Sequence, residues 1–163
     1  MKIEKLSDLF LHTLQDIYFA EKHIVKALPK MAKAADAKEL AKLFDSHLGE
    51  TRIQVERLES VFEMLGRKPK AAACPAILGI LDEAKELMGE IDDPDTRDAA
   101  MIAAAQAVEH YEITRYGTLV SWANLLGHSK AAKLLGETLK EEHAADAKLT
   151  KIAESHLNAE AVS

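Results

Sequence analysis

The stretch Gln106–Thr118, QAVEHYEITRYGT, carries two glutamates at positions where a buried helix normally carries leucine. The residues of this segment that share one helical face recur at steps of three and four. They are Ile102, Ala105, Glu109, Glu112, Tyr116 and Leu119. A buried carboxylate without a partner costs several kcal/mol, or it takes up a proton and loses its charge. We therefore expect a cation, a hydrogen-bond network or a metal ion to compensate Glu109 and Glu112.

Length and composition favour a single mostly helical domain of 163 residues. Hydrophobic residues make up 48% of the chain, with much Ala and Leu and few Gly and Pro, which favours helices. The net charge is −6 and no long basic run is present, so we expect no nucleic-acid partner. Neither a signal peptide nor an apolar run of about 18 residues is found, so we expect a cytoplasmic protein that does not insert into membranes.

Four long helical segments are predicted from the apolar spacing. They span Ile3–Ala35, Asp36–Leu65, Asp95–Leu126 and Ser129–Leu157. Pro29 should kink the first helix or end its regular part, because proline has no N–H and clashes with the preceding turn. Asp36 is the predicted N-cap of the second helix, with Glu39 as its capping-box partner. Gly66 and Gly127 are the predicted ends of the second and third helices.

The segment 67–94 differs in composition from its neighbours, with three prolines, two glycines and the lone cysteine, Cys74. A short amphipathic helix, Ala76–Ile91, fits inside it. A single cysteine excludes a disulfide within the chain and a thiolate zinc cluster. We interpret this segment as a crossover inside one domain, residues 1–163, that lets the third long helix run in the same direction as the second. The predicted fold is therefore an all-α four-helix bundle.

Each of the four helices carries carboxylates on its inward face near its midpoint. These residues are Glu21, Glu50, Glu109, Glu112, Glu142 and Asp146, and His47 lies one turn before Glu50. In a bundle of helices of similar length, such residues fall at one level. Six carboxylates in one interior cannot all stay ionised without positive charge, and two metal ions would supply it. The alternative is a metal-free hydrogen-bonded network satisfied by Arg57, Arg115, Gln54 and Tyr116.

The role of His47 stays open between a metal ligand and a donor that orients a carboxylate. Other catalytic signatures are missing: the sequence has no glycine-rich phosphate loop, no Cys-x-x-Cys pair and no His-Glu-x-x-His motif.

Four segments of the chain resemble the YciE/YciF family of bacterial ferritin-like stress proteins. The segments are LQDIYFAEKHIVKALPKMA, HLGETRIQVERLESVFEMLG, DAAMIAAAQAVEHYEITRYGTL and LLGETLKEEHAADAKLTKIA, and the likeness runs from about Leu6 to Ala153. The resemblance implies a ferritin-like four-helix bundle with a crossover between helices two and three. It also implies a homodimer and an association with stress responses.

The wider ferritin-like pattern has one Glu from each of two helices and a Glu-x-x-His from each of the other two. Glu21, Glu50 and Glu142 match glutamates of that pattern, and Glu109 with Glu112 resembles the paired helix-three glutamates of rubrerythrin-like proteins. Ile53 and Ala145 stand where its two histidines would be, and His47 and Asp146 are the candidates to replace them. Fewer imidazoles favour harder ions such as Mn²⁺ or Mg²⁺.

Two functions follow from this interpretation. The first is a stress-response protein with a dinuclear iron or manganese site that oxidises ferrous iron or reduces peroxide or O₂. The second is a non-catalytic dimeric stress protein with a metal-free polar core.

Overall fold

The computed structural model describes residues 2–162 and contains five main helices. In chain order they are α1 (Leu6–Ala34), α2 (Lys38–Met64), α3 (Pro75–Glu90), α4 (Pro94–Leu125) and α5 (Ser129–Ile152). A π-helical turn, Ala153–Leu157, and a short helix α6, Asn158–Glu160, continue α5. Within residues 2–162 there is no strand, so the predicted all-α class is confirmed.

The long helices form two pairs, α1 with α2 and α4 with α5, and α3 packs against α4 and α1. The direction of α4 follows from two contacts with the α2 side of the bundle. Asp98 of α4 accepts a hydrogen bond from the backbone of Asp36, just before α2. Eleven residues further along each of the two segments, Glu109 of α4 contacts His47 of α2. Because both contacts advance together, α2 and α4 run in the same direction, as a crossover between them requires.

Two glycines end α2 and α4 as the sequence predicted. Gly66 has φ +66° and Gly127 has φ +78°, a left-handed conformation that glycine adopts at little cost. After α2, the N–H of Arg67 donates to the carbonyl of Phe62. After α4, the N–H of His128 donates in the same way to the carbonyl of Ala123. Both ends are therefore Schellman motifs, set by local sequence alone.

The start of α2 differs from the prediction that Asp36 caps it. The N-cap position is Ala37, and no side chain of its own segment supplies a capping oxygen. Instead the backbone N–H groups of Asp36 and Ala37 donate to the two carboxylate oxygens of Asp98, at 3.0 and 2.7 Å. The cap prediction was wrong because the acceptor comes from α4, distant in sequence but adjacent in the bundle.

Of the two effects predicted for Pro29, a kink or an end of the regular helix, the second does not occur, since α1 continues to Ala34. Proline removes one helical hydrogen bond, but the packing on both sides of it opposes a break. Leu28 is buried immediately before Pro29, and Met31 packs against the core two residues after it.

The crossover is held to the bundle at both of its ends. The N–H of Ala72 donates to the carbonyl of Gln15 in α1, and Cys74, just before α3, is buried with its Sγ 2.9 Å from the hydroxyl oxygen of Tyr111. At the start of α4, the Asp93 carboxylate accepts from the N–H of Thr96 and so caps the helix.

Apolar side chains fill the bundle on either side of its middle. Phe10, Leu14, Leu58 and Phe62 are buried toward one end, and Leu28, Leu40, Phe44 and Ile102 toward the other. Burying a side chain of this size stabilises the fold by about 1.5–3 kcal/mol relative to leaving it exposed. No helix among residues 2–162 has the length and apolar character needed to span a membrane.

Candidate metal centre

The middle layer of the bundle consists of charged residues from all four long helices. α1 contributes Glu21, α2 His47, α4 Glu109 and Glu112, and α5 Glu142, and each of these side chains is buried. The least buried of them, His47, is only 6% exposed. The predicted carboxylate layer therefore lies inside the protein, where water cannot solvate its charges.

Four of these side chains converge closely enough to bind one ion. His47, Glu109, Glu112 and Glu142 each offer one ligand atom, and these atoms all lie within 4.8 Å of one another. Three oxygens and one imidazole nitrogen form a donor set typical of iron, manganese and zinc.

His47 sits between two carboxylates. Its Nε2 lies 3.0 Å from Oε1 of Glu109, and its Nδ1 lies 3.5 Å from Oε2 of Glu50. Neither approach has the alignment of a hydrogen bond, so both ring nitrogens count as unpaired. Burial by itself would lower the pKa of His47, but the carboxylates of Glu109 and Glu50 outweigh it and raise that pKa to about 10. In the absence of a metal, the imidazole is therefore the cation of the layer.

Glu21 lies on the side of the layer formed by α1 and α4. The hydroxyl of Tyr116 donates to its Oε1, whereas its Oε2 has no partner. Burial raises the pKa of Glu21 to about 7, although Tyr116 and His47 oppose the shift. Burial also raises the pKa of Glu112, and the negative charges of Glu21, Glu142 and Glu109 add to that effect. The pKa of Glu142 is likewise raised, first by burial and then by Glu21 and Glu109.

While its glutamates are ionised, most oxygens of the layer lack a hydrogen-bond partner, although a proton would allow Glu112 to bond to Glu21 and Glu142 to bond to Glu109. The unpaired atoms are Oε2 of Glu21, Oε2 of Glu109, and both carboxylate oxygens of Glu112 and of Glu142. Buried side-chain oxygens are nearly always paired, and an unpaired charged one costs several kcal/mol. Six such oxygens around one centre fit a site that is complete only when a cation binds there.

The groups proposed for a metal-free network mostly bond elsewhere. Arg57 donates to both oxygens of Glu141, at 2.6 and 2.7 Å, and Gln54 donates to Glu141 at 3.1 Å. Arg115 lies 3.9 Å from Asp16. Of the four groups, only Tyr116 donates a hydrogen bond to a residue of the layer.

Glu50 and Asp146, both predicted ligands, lie outside the set of four converging side chains. Glu50 has 34% of its side chain exposed, and its Oε1 is 3.8 Å from Nζ of Lys148. Asp146 accepts from the amide of Gln106 at 2.9 Å and lies 3.2 Å from Nε2 of His110. Glu50 thus borders the layer behind His47, and Asp146 bridges α4 and α5 near the surface.

The rotation of α2 explains why His47 occupies the position expected for Glu50. The buried residues of α2 include His47, Thr51, Gln54 and Leu58, at steps of four and three. Glu50 lies at the edge of this face, and Ile53 is 50% exposed. A histidine at position 53 would point to solvent here, so the imidazole of α2 reaches the layer from position 47 instead.

Sequence reasoning did not identify Glu141 or Lys148 as neighbours of the site. Glu141 of α5 accepts hydrogen bonds from Arg57 and Gln54 of α2. Lys148 of α5 pairs with Glu50 of α2. Both are charged residues on a helix with many others. Their sequence positions carried no signal of these partners.

The chain is similar to a curated protein and to solved structures. It is 46% identical to the protein YciF of Escherichia coli (strain K12) over 162 residues, which are 99% of this chain and 98% of YciF. The crystal structure of the E. coli stress protein YciF superposes with a TM-score of 0.91, covering 96% of this chain and 99% of that one. YcfI from Rhodopseudomonas palustris, provisionally described as a structural protein, is 52% identical, with a TM-score of 0.90 over 91% of this chain and 95% of YcfI.

A more distant structure shares the fold alone. A Xanthomonas campestris pv. campestris protein is 23% identical, with a TM-score of 0.74 over 96% of this chain and 95% of its own. The family model described as "Domain of unknown function (DUF892)" matches residues 5–162, almost the whole chain. With a full-length match to that model and 46% identity to YciF, the chain belongs to the DUF892 family.

Proposed function

We propose that this protein binds a pair of iron or manganese ions in its buried carboxylate layer and acts in a stress response by oxidising ferrous iron or reducing peroxide or O₂. The observation that carries the proposal is the set of six unpaired, buried carboxylate oxygens around His47. Glu109, Glu112, Glu142 and His47 would hold one ion. Glu21, with its free Oε2, would contribute to the shell of a second, and Glu50, beside Nδ1 of His47, would orient the imidazole.

A bound pair of ferrous ions would supply two electrons, which with two protons reduce one hydrogen peroxide to two waters. The residues of this chain have other tasks. The helices exclude bulk water from the layer, and Tyr116 fixes the orientation of Glu21 through its hydroxyl. The similarity to the E. coli stress protein YciF supports a role in a stress response.

Metal content of purified protein tests the first part of the proposal. We expect about two ions per chain after anaerobic reconstitution of metal-free protein with Fe²⁺ or Mn²⁺, measured by plasma mass spectrometry. Glu142→Gln should lower the content to one ion or fewer. The matched control is Glu137→Gln on the same helix, where the side chain is 43% exposed and lies outside the layer. Equal metal content in both variants would contradict the site.

Turnover is tested separately, by following ferric absorbance in a stopped-flow instrument after mixing the ferrous-loaded protein with O₂ or with hydrogen peroxide. Oxidation should be faster than for free Fe²⁺ at the same pH and should be lost in Glu142→Gln. If the fully loaded protein oxidises iron no faster than free Fe²⁺ is oxidised in solution, the site binds metal but has no redox function.

The second candidate is a non-catalytic stress protein whose polar core is metal-free. The observation that favours it is the internal neutralisation available without metal: the Tyr116 hydroxyl on Glu21, the His47 imidazole beside Glu109, and the raised pKa values of Glu112 and Glu142. It predicts an unfolding temperature that added Mn²⁺ does not change. A rise of several degrees with Mn²⁺, absent in Glu142→Gln, would exclude it.

The homodimer implied by the family resemblance is a proposal that either function can accommodate. Sedimentation velocity should give a mass near twice the 17.9 kDa of the chain. A cage of many subunits would sediment far faster and would point to iron storage instead.

A further inference from the structure

A cavity reaches the carboxylate layer on the side of His47. It touches α1, α2, α3, α4 and α5, and its walls end at His47 and Glu109 on the buried side. Ser46 and Lys148, both exposed, mark its opening to solvent. The cavity therefore connects the surface with the face of the layer at which His47 Nε2 and Glu109 Oε1 lie 3.0 Å apart.

The walls of the cavity are mostly hydrocarbon. Eleven of its sixteen lining residues are apolar: Ile24, Ala27, Leu28, Met31, Leu43, Phe44, Leu81, Ala105, Val108, Ala145 and Leu149. The polar ones are Ser46 and Lys148 at the opening and His47, Glu50 and Glu109 near the layer. A polar or charged molecule would lose its hydration along the apolar walls without gaining hydrogen bonds there.

The size of the cavity limits what it can admit. The cavity has a volume of about 30 Å³, measured as the space open to the centre of a water molecule. A single water needs roughly 10–15 Å³ by that measure, so there is room for about two waters. A molecule of two heavy atoms fits this space, whereas a sugar, an amino acid or an aromatic ring does not.

The surface around the opening carries positive charge. A groove outside it shares Leu43, Ser46 and Lys148 with the cavity and adds Lys42 and Lys151. Glu39, the acidic residue of this groove, lies 2.6 Å from Nε2 of His156. Lys42, Lys148 and Lys151 outnumber the two carboxylates of the region, Glu39 and Glu50, and Lys148 lies 3.8 Å from Glu50, so the opening does not attract a divalent cation.

We infer that this cavity, between Lys148 at the surface and His47 at the layer, is the access path and waiting site of dioxygen. The inference rests on the proposed function and narrows it, since it assigns to the site a small neutral diatomic substrate and excludes organic ones. Of the small oxidants, dioxygen alone needs no hydrogen bonds from the apolar walls.

The test measures oxygen in the cavity of metal-free protein, so that it does not depend on metal binding. Dissolved O₂ is paramagnetic and speeds the relaxation of methyl groups that it touches. In ¹³C-methyl-labelled protein under O₂ pressure, the methyls of Leu28, Leu43 and Leu149 should relax several-fold faster than those of Leu119 and Leu58. Leu119 and Leu58 are buried like Leu28 and Leu149 but do not line the cavity, and because Leu43 is only partly buried, the comparison is decided by Leu28 and Leu149.

Two alanines provide a matched pair of variants. Ala105 lines the cavity and Ala84 does not, and both are 7% exposed. Ala105→Leu should reduce the oxygen effect on Leu28, Leu43 and Leu149 to the level of Leu119, whereas Ala84→Leu should leave it unchanged. If Ala105→Leu fails to fold, Ala27→Leu fills the cavity from α1 and takes its place.

The outcomes separate the two proposals. Equal relaxation of the cavity and control methyls in the unsubstituted protein would overturn the dioxygen path. Faster relaxation of the cavity methyls in a protein that binds no metal would support the path and contradict the proposed function. In the ferrous-loaded protein, Ala105→Leu should keep the full metal content and slow oxidation by O₂ at least tenfold. An unchanged rate would also overturn the path.

Discussion

The imidazole Nε2 of His47 lies 3.0 Å from Oε1 of Glu109, so the charge of each group affects the other, but the two atoms lack the alignment of a hydrogen bond. Glu112 and Glu142 offer oxygens to the same space. When charged, His47 forms an ion pair with Glu109, and when neutral, its Nε2 and the surrounding unpaired oxygens have the arrangement of ligands facing a shared cation. This contact is the reason that His47 is central to the predictions that follow.

Replacing His47 by Gln should weaken metal binding at least tenfold, the loss that removal of a group next to a metal commonly causes. The matched control is His110→Gln, since His110 is largely exposed and pairs with Asp146 away from the layer. Isothermal titration of metal-free protein with Mn²⁺ measures both. Equal affinities in the two variants would mean that His47 is not a ligand.

The metal-free protein should become less stable as the pH rises from about 5 to 8. The pKa of Glu21 rises from 4.5 to about 7 on folding, so its contribution to stability is complete below pH 4.5 and is lost as the pH passes 7. The raised pKa values of Glu112 and Glu142 act in the same direction. His47, raised from 6.5 to about 10, also contributes stability that is lost at higher pH.

Thermal unfolding in EDTA at pH 5, 6, 7 and 8 measures this slope. Glu21→Gln should flatten it between pH 4.5 and 7, because the amide does not titrate. Mn²⁺ should raise the unfolding temperature most at pH 8, where bound metal competes with the fewest protons. A metal-free protein that gains stability over this range would contradict the assignment.

Tyr116→Phe should lower the free energy of unfolding by about 1–3 kcal/mol, because Glu21 Oε1 then loses its donor in a fully buried site. The matched control is Tyr18→Phe, which removes a hydroxyl bonded to Glu59 nearer the surface, at 2.8 Å. That loss should cost less, about 0.5–1.5 kcal/mol. Urea denaturation of both variants measures the two losses. A larger loss for Tyr18→Phe would contradict the prediction that the Tyr116–Glu21 hydrogen bond contributes more to stability than the Tyr18–Glu59 one.

Asp98→Ala should destabilise the fold by about 1–3 kcal/mol, because it leaves two backbone N–H groups at the start of α2 without an acceptor. Asp36→Ala should change stability by no more than about 0.5 kcal/mol, since the Asp36 side chain is exposed. Chemical denaturation of the two variants distinguishes the long-range cap from the local one. If Asp36→Ala destabilised the protein more than Asp98→Ala, Asp36 and not Asp98 would be the residue that caps α2.

Much of the candidate site was predictable because inward carboxylates break a regular apolar pattern. Glu21, Glu109, Glu112 and Glu142 lie well inside their helical faces, and all four are buried in the layer. Glu50 and Asp146 lie at the edges of theirs. A shift of three residues along a helix turns a side chain by only about 60°, within the width of an apolar face, so spacing does not separate His47 from Glu50.

The sequence by itself determined the features that depend on neighbours along the chain. The helices follow from apolar spacing, and the ends of α2 and α4 follow from Gly66 and Gly127, because helical faces and left-handed turns are properties of a few consecutive residues. Only the tertiary structure decided which side chains meet. Asp98 caps a helix that begins 60 residues earlier in the chain. His47, not Glu50, faces Glu109, because the rotation of each helix is set by the packing of the whole bundle.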